Sequence, residues 1–174
     1  MPPITLYDAA VVPVIRALRN LSHILKKGET YANDKGIPHS ELLEASIAPD
    51  MKPLTFQVQI ASDSAKFLAV RVAGVNNMPM EDNEKTFEEL QTRITATINF
   101  LEAVKKEDFD GKEDNEIMVR DIKFTGLSYV TSFALPNFYF HAVTAYDILR
   151  MKGVDIGKKD YLRGANEWGK MERE

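Results

Sequence analysis

The chain of 174 residues contains no cysteine, which excludes disulfides, iron–sulfur clusters, thiolate zinc sites and catalysis by a cysteine nucleophile. It also lacks any run approaching the roughly 20 apolar residues that a membrane-spanning helix needs. The first residues show neither the basic segment nor the long apolar segment of a secretory signal. These absences predict a cytoplasmic protein with no membrane partner.

Blocks of like charge are missing as well. The 22 Lys and Arg residues are interspersed with 26 Asp and Glu residues, and the formal net charge is −4. Because affinity for nucleic acid depends on clustered basic side chains, we expect no nucleic-acid partner. A composition that is 44% hydrophobic and 28% charged is ordinary for a globular protein. We therefore expect residues 1–174 to form a single helical domain.

Apolar residues recur three or four positions apart in four long segments, which predicts four helices. The first covers residues 5–33, with a kink or restart at Pro13, and the second opens at Ala48-Pro49-Asp50 and stops at Gly74. Asp82 or Asn83 is expected to cap the third. Thr125 is expected to cap the fourth, and Pro136 predicts a break or kink in it near Leu135. Alternation in residues 116–124 predicts a small two-stranded hairpin before the last helix.

The chain contains none of the catalytic or nucleotide-binding motifs GxSxG, GxGxxG, HExxH and the P-loop. It has only three histidines. The unusual segment is residues 133–141, FALPNFYFH, where Asn137 and His141 share a helix face. Gln59 and Asp63 have the same spacing on the second helix. These four side chains form the candidate pocket. They are interpreted either as a buried hydrogen-bond network, with Asp63 as a partner of His141, or as a small-ligand or metal site between helices.

Several strings resemble a family known only as domain of unknown function nineteen-ninety-three. They are residues 47–54 (IAPDMKPL), 133–141 (FALPNFYFH) and 144–150 (TAYDILR), and the resemblance extends over nearly the whole chain. That family is similar to the DinB/YfiT-like superfamily. The resemblance implies an all-α, up-down four-helix bundle with a long crossover, and a homodimer.

The same resemblance implies a possible metal site, because several superfamily members hold a metal with three histidines. One of these lies on the second helix, and two lie four residues apart on the last. By position, His141 matches one of the last pair and Asn137 stands in place of the other. Gln59 or Asp63 falls near the second-helix position. Carboxamides are poor ligands for zinc or nickel, so two of the three expected ligands are missing.

Two functions follow as expectations. The favoured one is a non-catalytic protein without a cofactor, which binds a small molecule or acts as a dimeric interaction module. The alternative is a hydrolase or transferase centred on His141. That enzyme would use His141 with Asp63 as an acid–base pair, or with a divalent metal such as zinc or nickel.

Overall fold

A computed structural model describes residues 4–164 and is 66% helical. The helices are α1 (Leu6–Lys35), α2 (Ser40–Leu43), α3 (Leu54–Ala73), α4 (Phe87–Glu102), α5 (Gly126–Tyr129), α6 (Leu135–Met151) and α7 (Lys158–Arg163). A 3-10 turn (Lys106–Phe109) follows α4, and a π-helical turn (Val130–Ala134) joins α5 to α6. Trp168, the only tryptophan, lies outside the described residues.

Helix α3 lies at the centre of the packing. It contacts α6 along one side and α4 along another, while α1 packs against both α4 and α6. Leu54, Val58, Ala61 and Leu68 of α3 are almost completely buried in the shared apolar core. None of the helices within residues 4–164 is both long enough and apolar enough to cross a membrane.

The predicted hairpin is confirmed. Strands β1 (Glu116–Val119) and β2 (Ile122–Thr125) pair antiparallel, with Glu116 opposite Thr125 and Val119 opposite Ile122. Ile117 and Val119 bury their side chains. A hairpin of this size is marginal in isolation, so these contacts with the helical core help to stabilise it.

Two helix starts differ from the sequence prediction. Helix α3 begins at Leu54 and not near Asp50, because Pro53 occupies the N-cap position and the residue before a proline avoids helical geometry. Helix α4 is capped by Thr86 and not by Asp82 or Asn83. Thr86 and Glu89 form a reciprocal capping box, which frees the preceding acidic residues for other contacts.

The two prolines are accommodated without a break. Helix α1 runs as one helix from Leu6 to Lys35 with Pro13 inside it. Before Pro136, the wider π turn absorbs the missing N–H and the clash that its ring would make with the carbonyl four residues earlier. The chain then continues directly as α6, so the break or kink expected near Leu135 takes the form of a π turn just before that residue.

Candidate functional site

The structure places the four residues of the candidate pocket in two separate pairs. Asn137 and His141 of α6 meet Ser64 and Gln57 of α3, whereas Gln59 and Asp63 contact α4 and the segment before it. Residues 57 and 59 are two apart on one helix and therefore point in directions about 200° apart. The side-chain partner of His141 is Gln57 and not Asp63.

Gln57 fixes the protonation pattern of the His141 ring. Its Nε2 donates to the carbonyl of Lys52 at 2.8 Å, so its Oε1 faces His141 Nδ1 at 2.7 Å. An amide oxygen can only accept, and Nδ1 must therefore carry the proton. Nε2 keeps its lone pair, and within residues 4–164 it has no hydrogen-bond partner. The ring thus offers one oriented acceptor.

The surroundings of His141 are apolar. The side chain is 9% exposed, and the rings of Phe56 and Phe140 lie edge-on to it, with centroids at 6.1 and 5.2 Å. Burial lowers the pKa of His141 below its usual value, because the apolar environment disfavours the imidazolium. The neutral imidazole is therefore the form that the site presents near pH 7.

The donor set does not fit the three-histidine metal site that the resemblance implies. Asn137 donates its amide to Ser64 Oγ at 2.7 Å, and the Gln57 amide is held between Lys52 and His141. Among the described residues, no group of three or more His, Cys, Asp or Glu side chains could hold a metal ion. His141 would enter such a site with carboxamides for neighbours, which are weak zinc and nickel ligands.

The second pair belongs to a charged cluster around Arg93, a residue that the sequence analysis missed. The Arg93 side chain is 1% exposed and contacts three carboxylates, Glu84 at 2.8 Å, Asp82 at 2.9 Å and Asp63 at 3.1 Å. It also donates to the backbone carbonyl of Glu81 at 3.1 Å. One guanidinium therefore holds the acidic segment 81–84 against α3 and α4.

Gln59 and Lys66 extend this cluster. Gln59 donates to Glu84 at 2.9 Å, and Lys66, only 3% exposed, pairs with Asp63 at 3.0 Å. Burial by itself raises the pKa of Glu84, but the hydrogen bonds from Arg93 and Gln59 outweigh it and keep that pKa below its usual value. Because Gln59 and Asp63 are both engaged by charged partners of this cluster, we interpret them as structural residues.

A signal for Arg93 exists in the sequence. It lies three residues after Leu90 and four before Thr97, inside the apolar stripe of α4, where a charged side chain must be buried. A buried cation requires carboxylate partners, and residues 81–84 (EDNE) form an acidic run just before the helix that carries Arg93. The expected helix cap at Asp82 or Asn83 assigns this run to the helix start and conceals its pairing with Arg93.

The fold defines a DinB-like helical protein. A crystal structure of a DinB family member protein from Shewanella denitrificans is 38% identical, with a TM-score of 0.87. The match covers 90% of this chain and 91% of that one. The family model described as Domain of unknown function (DUF1993) matches residues 6–162, and the chain belongs to this family. No curated protein matches the sequence.

Replacing Arg93 by Met should lower the free energy of unfolding by about 3–5 kcal/mol, because it leaves Glu84 and its neighbours without their buried counter-ion. Arg19 pairs with Glu102 on the surface, with the two side chains 59% and 44% exposed, so Arg19→Met is the matched control. It should cost less than about 1 kcal/mol. Urea unfolding at pH 7 measures both variants. Equal losses would contradict the assigned role of Arg93.

The stability that neutral His141 contributes should decline as the pH falls. The folded state holds the pKa of His141 below its usual value, so below about pH 6.5 the unfolded chain binds the proton first. The difference in unfolding free energy between the wild type and His141→Gln should therefore be greatest above pH 7. It should shrink as the pH drops through the folded pKa. Denaturant unfolding from pH 8 to pH 5 measures it, and a pH-independent difference would contradict the buried neutral ring.

Proposed function

We propose that this protein is a non-catalytic helical bundle, with the up-down topology of four long helices, that binds a small ligand at His141. The observation that carries the proposal is that the ring nitrogen Nε2 of His141 is an acceptor without a partner among the described residues. Gln57 fixes the proton on the opposite nitrogen, and no described residue satisfies Nε2. An oriented, neutral acceptor at the edge of the core is suited to a ligand that donates a hydrogen bond.

The surrounding side chains define the class of ligand. The rings of Phe56 and Phe140 flank His141 and favour an apolar body, and Phe140 is 56% exposed, so a ligand can reach it from solvent. A neutral imidazole gives no charge with which to bind an anion. The ligand that fits is therefore a small neutral molecule with an alcohol or amide donor.

Ligand binding is favoured over acid–base catalysis because of what His141 contacts. Its partner Gln57 does not titrate, while Asp63, the expected carboxylate partner, is engaged by Arg93 and Lys66. A general base gains its basicity and orientation from a neighbouring carboxylate in the familiar triads. Gln57 orients the His141 ring without supplying a negative charge. This arrangement suits the recognition of a ligand better than it suits proton transfer.

A homodimer is the second proposal, and it is an alternative use of the face of α3 and α6 that carries Phe56 and Phe140. Phe56, Ile60 and Phe67 of α3 are only partly buried within one chain. Phe140 of α6 lies near Phe56, since the rings of both residues pack against the His141 ring. A half-buried apolar stripe next to an exposed phenylalanine favours burial against a second copy by two-fold symmetry.

Ligand binding can be tested at the ring itself, because the chain has only three histidines. In protein labelled with ¹⁵N-histidine, His141 should show a protonated Nδ1 and an unprotonated Nε2. In a screen of neutral alcohols and amides, ligands should move the Nε2 resonance. The variant His141→Phe should abolish binding and His39→Phe should retain it.

Metal binding at His141 is tested separately, by thermal unfolding. Zn²⁺ or Ni²⁺ should leave the Tm of the wild type unchanged, whereas a metal at 100 times its Kd would stabilise the protein by about 2.7 kcal/mol. A metal-dependent rise in Tm that is lost in His141→Phe would contradict the ligand-binding proposal and favour a metalloenzyme.

The dimer proposal predicts a mass near twice the 19.7 kDa of the chain in light scattering at tens of micromolar. Phe140→Asp should shift the protein to monomer, because it places a charge in the centre of the apolar face. Met118 of the hairpin is comparably exposed, at 50%, so Met118→Asp is the control and should remain dimeric. A monomeric wild type would exclude the proposal.

A further inference from the structure

Helices α3 and α6 run antiparallel along the face that they share. Ser64 of α3 is level with Asn137 of α6, because their side chains are hydrogen-bonded at 2.7 Å, and Gln57 is bonded in the same way to His141. Residue numbers therefore rise in opposite directions along the two helices. Because each residue of a helix advances about 1.5 Å, other positions on the face can be placed relative to the Ser64–Asn137 pair.

One end of this face carries a cation that no described carboxylate neutralises. Arg71, in the last turn of α3, stacks on Phe67 and Tyr129, with its Cζ 4.9 and 5.6 Å from the two ring centroids. One of its nitrogens donates to the Tyr129 hydroxyl at 3.0 Å. Within residues 4–164 it forms no ion pair. The partial negative charge at the end of α3 offsets only part of its own charge.

The opposite end of the face carries an anion without a counter-ion. Asp147 is exposed on α6, in a stripe with the exposed apolar residues Phe140, Val143 and Met151, which are spaced three or four apart. It forms no hydrogen bond or ion pair with any residue of the described chain. Burial raises the pKa of Tyr161, and the charge of Asp147 adds to that rise. This effect on a neutral phenol leaves the carboxylate charge uncompensated.

The two charges lie on opposite sides of the middle of the face. Arg71 is seven residues beyond Ser64, which places it about 10 Å to one side of the Ser64–Asn137 level. Asp147 is ten residues beyond Asn137, about 15 Å to the other side. Their midpoint lies about 2 Å from Asn137, towards Phe140. A two-fold axis perpendicular to the face at this point exchanges α3 of one copy with α6 of another.

We propose that a second copy of the chain docks on this face about that axis, with Asp147 of each copy paired to Arg71 of the other. This register rests on the homodimer proposed above. The charge pair occurs twice, because a two-fold contact is isologous.

The same axis also matches the apolar surfaces. It brings Phe140 of each copy onto the half-buried stripe of Phe56, Ile60 and Phe67 of the other. Apolar side chains then meet at the centre of the contact and opposite charges at its two ends. A shift of one helical turn along the face would separate both charge pairs by about 5 Å, so the charges select one register.

The charges can be reversed singly and together in the full chain. Asp147→Arg and, separately, Arg71→Glu should each raise the dimer Kd on the order of tenfold or more, because like charges then face each other twice across the contact. The double variant restores opposite charges and should recover the wild-type Kd. Sedimentation equilibrium measures each Kd, and thermal unfolding verifies that each variant is folded.

Lys52 provides the control for specific pairing. It precedes α3, at the opposite end from Arg71, and its Nζ lies 5.9 Å from the centroid of the Phe56 ring. The proposed axis does not bring it to Asp147 of the second copy. Adding Lys52→Glu to Asp147→Arg should therefore leave the dimer as weak as Asp147→Arg alone.

The outcomes separate this register from the homodimer itself. A wild-type dimer that tolerates both single reversals, or that the double variant does not restore, would overturn the charge pair and leave the homodimer standing. Recovery with Lys52→Glu would attribute the attraction to the overall charge of the face and would overturn the register as well. A monomeric wild type would overturn both, leaving the face to the small ligand proposed at His141.

Discussion

The buried guanidinium of Arg93 is the constraint on which the arrangement of α3 and α4 depends. A cation that is 1% exposed is stable only with well-placed counter-ions, and three carboxylates from α3 and the segment before α4 supply them. This requirement fixes the long connection between the two helices as well as their separation. The buried hydroxyls of Ser62 and Thr97 meet between the same helices, next to the cluster.

Helix α3 transmits this constraint to the other side of the molecule. The side chains that meet Arg93, Glu84 and Lys66 are at positions 59 and 63, while those that meet α6 are at positions 57 and 64. The rotation of α3 that satisfies Arg93 therefore also sets where Gln57 presents its amide to His141. The buried ion cluster around Arg93 on one face of α3 thereby orients the amide of Gln57 on the other face. The two groups of side chains need not contact each other directly.

Periodicity predicted which segments are helical and which face of each is apolar, because burial repeats with the helix period. It also located the hairpin, the stop at Gly74 and the cap at Thr125. Periodicity could not predict which side chains on different helices contact each other. Gln57 and Gln59 are equally polar in the sequence, and only the relative rotation of α3 and α6 decides that Gln57 meets His141. Arg93 was missed for a related reason. Two of its partners, Asp82 and Glu84, precede α4, because the capping box of Thr86 and Glu89 starts this helix later than the sequence predicts.

The rotation of α6 has its own local cause in the π turn before Pro136. A π turn accommodates one more residue than an α turn, so it advances the following helix by about 100° relative to α5. Without it, the positions that now face α3, Asn137 and His141, would turn away, and a different part of α6 would be buried. Pro136 has no N–H to give to the preceding turn, which makes the wider turn the conformation that keeps the helix continuous. The same proline that suggests a break in the sequence thus fixes the register in which His141 contacts Gln57.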